Sequence, residues 1–290
     1  RAIAEYCETS VETVDYFHGS DGLHELIVRC FLSSRKSVLI IAPTYDNFRA
    51  VCSTVTTRIK SFEVSLGDTD CDAILSSLTS SISDNKPNVV YLCNPNNPTG
   101  FTWSKASLTC LVTTFRDVLW VIDEAYIEFD GESIASLCES VDNLIVTRTL
   151  SKALGLASLR FGYCIAHPSI VRGLAAIKNH KSISALAQSV ALHVLRSHDY
   201  VDGYVSQVAA LKKSQLSKDI AGYPVLVAGG NFFLIFFGER LRKMIEKLES
   251  ENIYIRDLSH LPSLHGYARV TILSGVMMQK LKSLLTDMSG

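Results

Sequence analysis

The sequence has no long basic or acidic run, no apolar stretch long enough to cross a bilayer, no close cysteine pair and no internal repeat. Each absence removes a class of protein. A net charge of -1, from 28 Lys and Arg against 29 Asp and Glu, offers no attraction to nucleic acid or to an anionic membrane. A transmembrane helix needs about twenty apolar residues in a row, and none is expected here. No signal-like start is visible either, so the cytoplasm is the expected compartment. The eight cysteines (Cys7, Cys30, Cys52, Cys71, Cys93, Cys110, Cys138 and Cys164) are scattered, which favours buried free thiols over disulfides. His198 and His260 lack metal-like spacing, and no metal is expected. The chain starts at Arg1, and residues 1–6 read as the middle of a helix, so an N-terminal arm upstream of Arg1 is expected to be missing.

What is present is core. Of 290 residues 47% are hydrophobic, enough for one large and one small domain. The runs 38–42, 89–93, 119–122, 144–147 and 162–166 are short, β-rich and apolar on both faces, which reads as a buried, mostly parallel sheet. Helical stretches are expected between them at 21–32, 72–81 and 104–115, with Ser104 as a cap, and a long helix is expected from Pro168-Ser169 onward. The serine-rich patches around 76–83 read as a helix end and loop. This alternation predicts an α/β fold, a mostly parallel sheet sandwiched by helices. A large domain is expected over 1–196 and a smaller α+β domain over 197–290. In the smaller domain, helices are expected at 204–220 and 239–249 and strands at 231–236 and 268–272.

The chemistry-bearing residues fall at the ends of the apolar runs. Lys152 lies in an uncharged stretch, Leu150-Ser151-Lys152-Ala153-Leu154-Gly155, where desolvation favours the free amine that attacks an aldehyde. Asp123 closes the run 119–122 and suits an acidic partner for a pyridinium nitrogen. Gly19-Ser20 opens a helix at Asp21 and presents unpaired amide donors to an anion, to which Ser151 and Arg160 add hydroxyl and guanidinium donors. Asn97 sits on a turn stiffened by Pro98. In open sheets of this kind ligands sit beyond the carboxyl ends of the strands, and Tyr45, Asn97, Asp123 and Lys152 all lie there. Singly, each has a plainer reading: a capping aspartate, a solvated lysine, a turn asparagine, half-buried packing tyrosines, or an arginine paired to a carboxylate at a sheet edge. Their joint order points to pyridoxal phosphate.

The segments Gly19-Ser20-Asp21, Pro43-Thr44-Tyr45, 93–100 (CNPNNPTG), 123–129 (DEAYIEF), Thr149-Leu150-Ser151-Lys152, 159–162 (LRFG) and 267–271 (YARVT) resemble the fold-type I aspartate aminotransferase superfamily, most closely its histidinol-phosphate aminotransferase branch. The resemblance runs through nearly the whole chain. It implies that Lys152 carries the cofactor, Asp123 faces the pyridine nitrogen, Asn97 and Tyr126 face the phenolic oxygen, and Tyr45 stacks on the ring. Ser20, Asp21, Thr149, Ser151 and Arg160 would surround the cofactor phosphate. Arg269 would clamp a substrate carboxylate and Arg256 would contact a phosphorylated substrate, with pairing to Asp257 or Glu251 as its plainer alternative. The implied activity moves an amino group from an amino acid or a phosphorylated amine to a 2-oxo acid, in a homodimer. A different amino-acid aminotransferase, a phosphoamino-acid decarboxylase and a catalytically idle subunit stay open as alternatives, although Tyr126 favours the aminotransferase branch.

Overall fold

The structure, a computed structural model, describes residues 1–68 and 70–288; the side chain of His198 and the last two residues of the expected second domain lie outside the described residues. The larger sheet holds β1 (Val14–His18), β2 (Val38–Ala42), β3 (Ile59–Glu63), β4 (Val89–Cys93), β5 (Leu119–Asp123), β6 (Leu144–Thr149) and β7 (Phe161–Ala166), in the order β1-β7-β6-β5-β4-β2-β3. Both pairings of β7 are antiparallel and all the others are parallel, so one strand runs against six. This is the α/β architecture expected from the five apolar runs. β1 and β3 are additions, and their half-exposed, polar-rich sequences explain why they carry no apolar signature.

Alternate residues of each central strand go to different cores. Leu39, Ile41, Val90, Leu92, Trp120 and Ile122 pack on one face, and Val38, Ile40, Val89, Tyr91 and Val121 on the other. Side chains alternate along a strand, so a strand apolar at every position must be covered on both sides. The second sheet is wholly antiparallel: β8 (Asp219–Ile220), β9 (Tyr223–Val227), β10 (Phe232–Phe236), β11 (Arg256–Asp257) and β12 (Tyr267–Thr271), in the order β11-β12-β10-β9-β8. Helices His198–Gln215, Leu241–Ser250 and Gly275–Asp287 accompany it, and residues from all three pack with it in a third core.

Several sequence expectations need correction. The long helix from Pro168 is two helices, Pro168–Ile177 and Ala185–Leu195, because polar residues 178–182 break the apolar pattern and Ser184 restarts it by accepting from Ala187 N. The helix expected over 204–220 begins earlier and stops at Gln215, and Ile220 belongs to β8. The serine-rich patch continues the helix Cys71–Asn85, since the hydroxyls of Thr79, Ser80 and Ser83 donate to carbonyls four residues back instead of competing for other partners. Four cysteines are buried, but Cys71 and Cys110 are exposed.

A buried ionic group lies beside the ends of β5 and β6. Arg148 donates to Glu124 at 2.8 and 2.9 Å and to Ser133 at 2.8 Å. Close by, both carboxylate oxygens of Glu128 are buried without a hydrogen-bond partner, and burial pushes this acid up to about 7 against the opposing pull of Arg148. An acid whose folded value is raised contributes stability below its unfolded value, near 4.5, and loses it as pH climbs to about 7. Glu128→Gln is therefore expected to be the more stable form above pH 7, by about 2–3 kcal/mol, with the difference shrinking towards pH 4.5. Urea unfolding midpoints at pH 5 and pH 8 check this, and identical pH profiles for the two proteins would contradict it.

Candidate active site

The strand order reverses between β2 and β4: from β2 the chain steps outward to β3, and from β4 it steps the other way to β5 and β6. The crevice at such a switch point is where open α/β sheets bind ligands. Tyr45 follows β2 and Asn97 follows β4. The two loops are tied together, since Asn96 donates to the Pro43 carbonyl at 2.8 Å and accepts from Thr44 at 2.8 Å.

Because β7 is antiparallel, its amino end lies at the same edge as the carboxyl ends of β6 and β1. The register pairs Thr149 with Gly162 and His18 with Phe161. Arg160, just before β7, therefore meets Thr149 and the helix Gly19–Phe31. Gly19 (φ +73°) makes the turn from β1 into that helix, and a Cβ there would lie 2.9 Å from the Arg160 guanidinium. Arg160 itself is left-handed (φ 51°), an uncommon backbone for a large residue, and its guanidinium pairs with Asp21 at 2.9 Å. The plainer reading of Arg160 as a carboxylate partner is thus what the structure shows, and the carboxylate is one expected at the same site. Tyr45 also donates to Asp21, at 3.0 Å, and burial with the Asp21 charge holds the phenol protonated.

All twelve residues singled out from the sequence line two adjoining cavities. Ser20, Asp21, Asp123, Thr149, Ser151 and Arg160 surround a small one of about 110 Å³. Arg256 and Arg269 line a larger one of about 440 Å³. Tyr45, Asn97, Tyr126 and Lys152 belong to both. Lys152 is half-buried in the turn after β6, its amine 5.3 Å from the centroid of the buried Tyr126 ring. Tyr126 meets Phe232 of β10 edge-on at 5.2 Å, and Arg269 lies over the same Phe232. Arg269 also donates to the Asn97 side chain, bridging the two sheets.

Asp123 ends β5 with its carboxylate buried. One oxygen accepts from the Tyr91 hydroxyl at 2.8 Å and faces His24 Nε2 at 3.6 Å; the other accepts from Ala125 N at 3.1 Å. Burial holds His24 below its usual value, against the opposing pull of Asp123, so the imidazole is a neutral partner. His24 and Tyr91 were missed in the sequence, where each reads as packing. Tyr91 had a usable signal: it shares a strand face with Cys93, which is registered against Asp123. His24 had none, for it is one polar position among Leu23, Ile27 and Val28 on a buried helix face. His260 does not approach a metal cluster, and among the described residues no such cluster exists. It lines the larger cavity and pairs with Asp46.

Residues 1–287 match the family model for aminotransferase class I and II. The chain belongs to that family. It is 36% identical over 271 residues to a dihydroxyacetone phosphate transaminase of Campylobacter jejuni, covering 90% of this chain and 72% of that protein. It is 31% identical over 275 residues to a histidinol-phosphate aminotransferase of Caldanaerobacter subterraneus, covering 94% and 76%. The crystal structure of histidinol-phosphate aminotransferase from Sinorhizobium meliloti in complex with pyridoxal 5'-phosphate shares the fold, with a TM-score of 0.88 at 24% identity over 99% of this chain and 79% of that one. The fold-type I resemblance read from the motifs is therefore correct, and the chain is an aminotransferase-family enzyme rather than an idle scaffold.

The approach of β7 to the helix Gly19–Phe31 is testable without any ligand. A Cβ on Gly162 would stand 2.5 Å from the Gly19 carbonyl carbon and 2.6 Å from Ser20 N, whereas one on helical Gly173 would meet nothing within 4 Å. Gly162→Ala is expected to cost about 1–3 kcal/mol by overpacking, while Gly173→Ala gains up to about 1 kcal/mol. Thermal unfolding of the two variants reads the difference, and equal midpoints would refute the tight approach.

Proposed function

We propose that this enzyme is a pyridoxal-phosphate-dependent aminotransferase whose substrates carry a phosphate ester or a second carboxylate. The residues present fit the cofactor. The small cavity has a buried carboxylate at one place, Asp123, and a set of anion donors at another: the opening amides of the helix at Ser20 and Asp21, the hydroxyls of Thr149 and Ser151, and Arg160. Such a cavity suits a flat ring with a basic nitrogen and a phosphate arm. The cofactor supplies, when bound, an aldehyde that joins amines and a ring that draws electrons from the bond being broken.

In this reading Lys152 would hold the cofactor, and its Nζ, when free, would take the proton from the amine-bearing carbon of the substrate. Lys152 Nζ lies 5.3 Å from the centroid of the Tyr126 ring, so the amine stays inside the cavity that both residues line. Asp123 holds a proton on the ring nitrogen, and Tyr91, His24 and the Ala125 amide keep its carboxylate in one orientation. Asn97 and Tyr126 would donate to the cofactor's phenolic oxygen, and Tyr45 would pack on its ring.

The observation that carries the substrate class is a pair of opposed cations. Arg256 of β11 and Arg269 of β12 are direct register partners, and both line the larger cavity with Lys152. Like charges directly opposite each other on adjacent strands are unfavourable unless something neutralises them. Among the described residues Arg256 makes no ion pair, so the alternative pairing with Asp257 or Glu251 does not occur. An anionic substrate supplies the missing charge. The histidinol phosphate and dihydroxyacetone phosphate named for two relatives are anions of this kind, and a 2-oxo acid is the expected acceptor. Nothing in the site favours decarboxylation.

Further parts of the reading concern setting. The division into 1–196 and 197–290 is in keeping with the two sheets, and the exposed Leu186 and Leu192 on one helix beside an apolar groove of about 390 Å³ support a homodimer. Among the described residues no helix is long and apolar enough to cross a membrane.

Two experiments test the function. Borohydride reduction of the cofactor-loaded protein should fix the label on Lys152 alone, and Lys152→Ala should lose both label and visible absorbance; a label elsewhere sinks the assignment. In a panel of glutamate, histidinol phosphate, phosphothreonine and dihydroxyacetone phosphate, amino transfer is expected without carbon dioxide release. Arg256→Met should raise KM for the phosphorylated members about tenfold or more, as loss of a charged hydrogen bond does.

A further inference from the structure

We infer that His260 is a specificity-determining residue, which exchanges its carboxylate partner Asp46 for the phosphate end of a substrate entering the larger cavity. This rests on the proposed reading of that cavity as the place of an anionic substrate. His260 Nε2 lies 3.2 Å from Asp46 Oδ2, and both residues line the cavity together with Lys152, Arg256 and Arg269. The pair joins the two halves of the wall, one member from the loop after β11 and the other from the first residue of the helix Asp46–Ser53.

The backbones that carry the pair are fixed. Leu258 and Leu264 are buried in an apolar cluster with Leu234, and Leu258 N donates to the Tyr267 carbonyl at 3.1 Å. Ser259 N donates to Asp257 Oδ1 at 2.7 Å, which holds the turn that carries His260. On the other side, Tyr45 is bonded to Asp21 and Phe48 is fully buried. The two paired side chains are each 50% exposed. An ion pair in contact with water is weak, and so it can trade partners.

The charges on the wall say which partner wins. Asp46 is the only acid among the lining residues, facing three permanent or amine cations and one imidazole. Left unpaired, it would repel a phosphate, which carries close to two negative charges and three acceptor oxygens. Paired with His260, the carboxylate is engaged while the cavity waits. A phosphate entering between Arg256 and His260 offers His260 Nε2 a more strongly charged acceptor than Asp46 does. An amine without a phosphate leaves the pair intact and gains nothing from His260, so the pair separates the two kinds of substrate.

The test uses cofactor-loaded protein with His260→Gln and Asp46→Asn, and compares histidinol phosphate with histidinol. The ratio of kcat/KM for the phosphorylated over the unphosphorylated amine should fall about tenfold in His260→Gln, the loss typical of one hydrogen bond to a charged group. It should rise roughly threefold in Asp46→Asn, as removal of a weak surface partner allows. Calorimetric binding of glycerol 3-phosphate, which has no amine to react, should weaken in the first variant and tighten in the second. A simple structural latch would make both variants move the same way, and that result, or no change in either, overturns the inference. Failure of the unaltered protein to turn over either amine would count against the proposed function, and the glycerol 3-phosphate titration would still decide the role of His260 by itself.

Discussion

The contact between Gly162 and the turn at Gly19 and Ser20 is the tightest glycine approach among the described residues, and much of the site depends on it. With no side chain on either glycine, the amino end of β7 comes directly against the start of the helix Gly19–Phe31. That approach puts three kinds of anion donor at one spot: helix amides, the hydroxyls after β6, and the guanidinium just before β7. The antiparallel direction of β7 is part of the same arrangement. Were it parallel to β6, Arg160 would emerge at the far edge of the sheet, a strand length away from Thr149 and Ser151. Direction of one strand and absence of two Cβ atoms thus create an anion cradle that no single residue could supply.

Polar burial in this protein follows two opposite designs within a few residues. Asp123 and Glu124 are consecutive, so their side chains take opposite faces of the sheet. Glu124 is matched by Arg148 and Ser133 into a closed ion pair that locks β5 to β6. Asp123 meets a phenol, a backbone amide and a neutral imidazole, and no cation. A buried carboxylate held by neutral donors keeps its charge available to something else. The Glu124 carboxylate, paired with a cation, is structural, and the Asp123 carboxylate, held by neutral donors, is the one that opens on the cavity.

Much of this was legible in the residues themselves. The five central strands showed as apolar runs because both faces must be covered, and the motif residues at their ends fell where a switch-point crevice requires. The parts that were not legible have physical reasons. β1 and β3 are edge strands whose exposed positions admit polar residues. The serine-rich helix Cys71–Asn85 hides behind residues that usually end helices, because its hydroxyls bond backward along the same helix. His24 and Tyr91 act on Asp123 across a tertiary contact, and a periodicity reading assigns both to packing. His260 escaped because its partner lies more than two hundred positions away on the other side of the cavity mouth.

The link between the two sheets explains how binding at one could be felt at the other. Arg269 is shared between Asn97, which belongs to the cofactor side, and the face of Phe232, which packs on Tyr126 and through it on Lys152. A substrate anion that draws Arg269 towards itself must take it from one of those partners. Asn97 would then lose the hydrogen bond that its Oδ1 accepts, a bond that does not involve its Nδ2, while Phe232 and Tyr126 keep their edge-on contact. On the proposed reading, an anion that engages Arg269 therefore acts on Asn97 and Phe232 through one side chain rather than through a movement of either sheet.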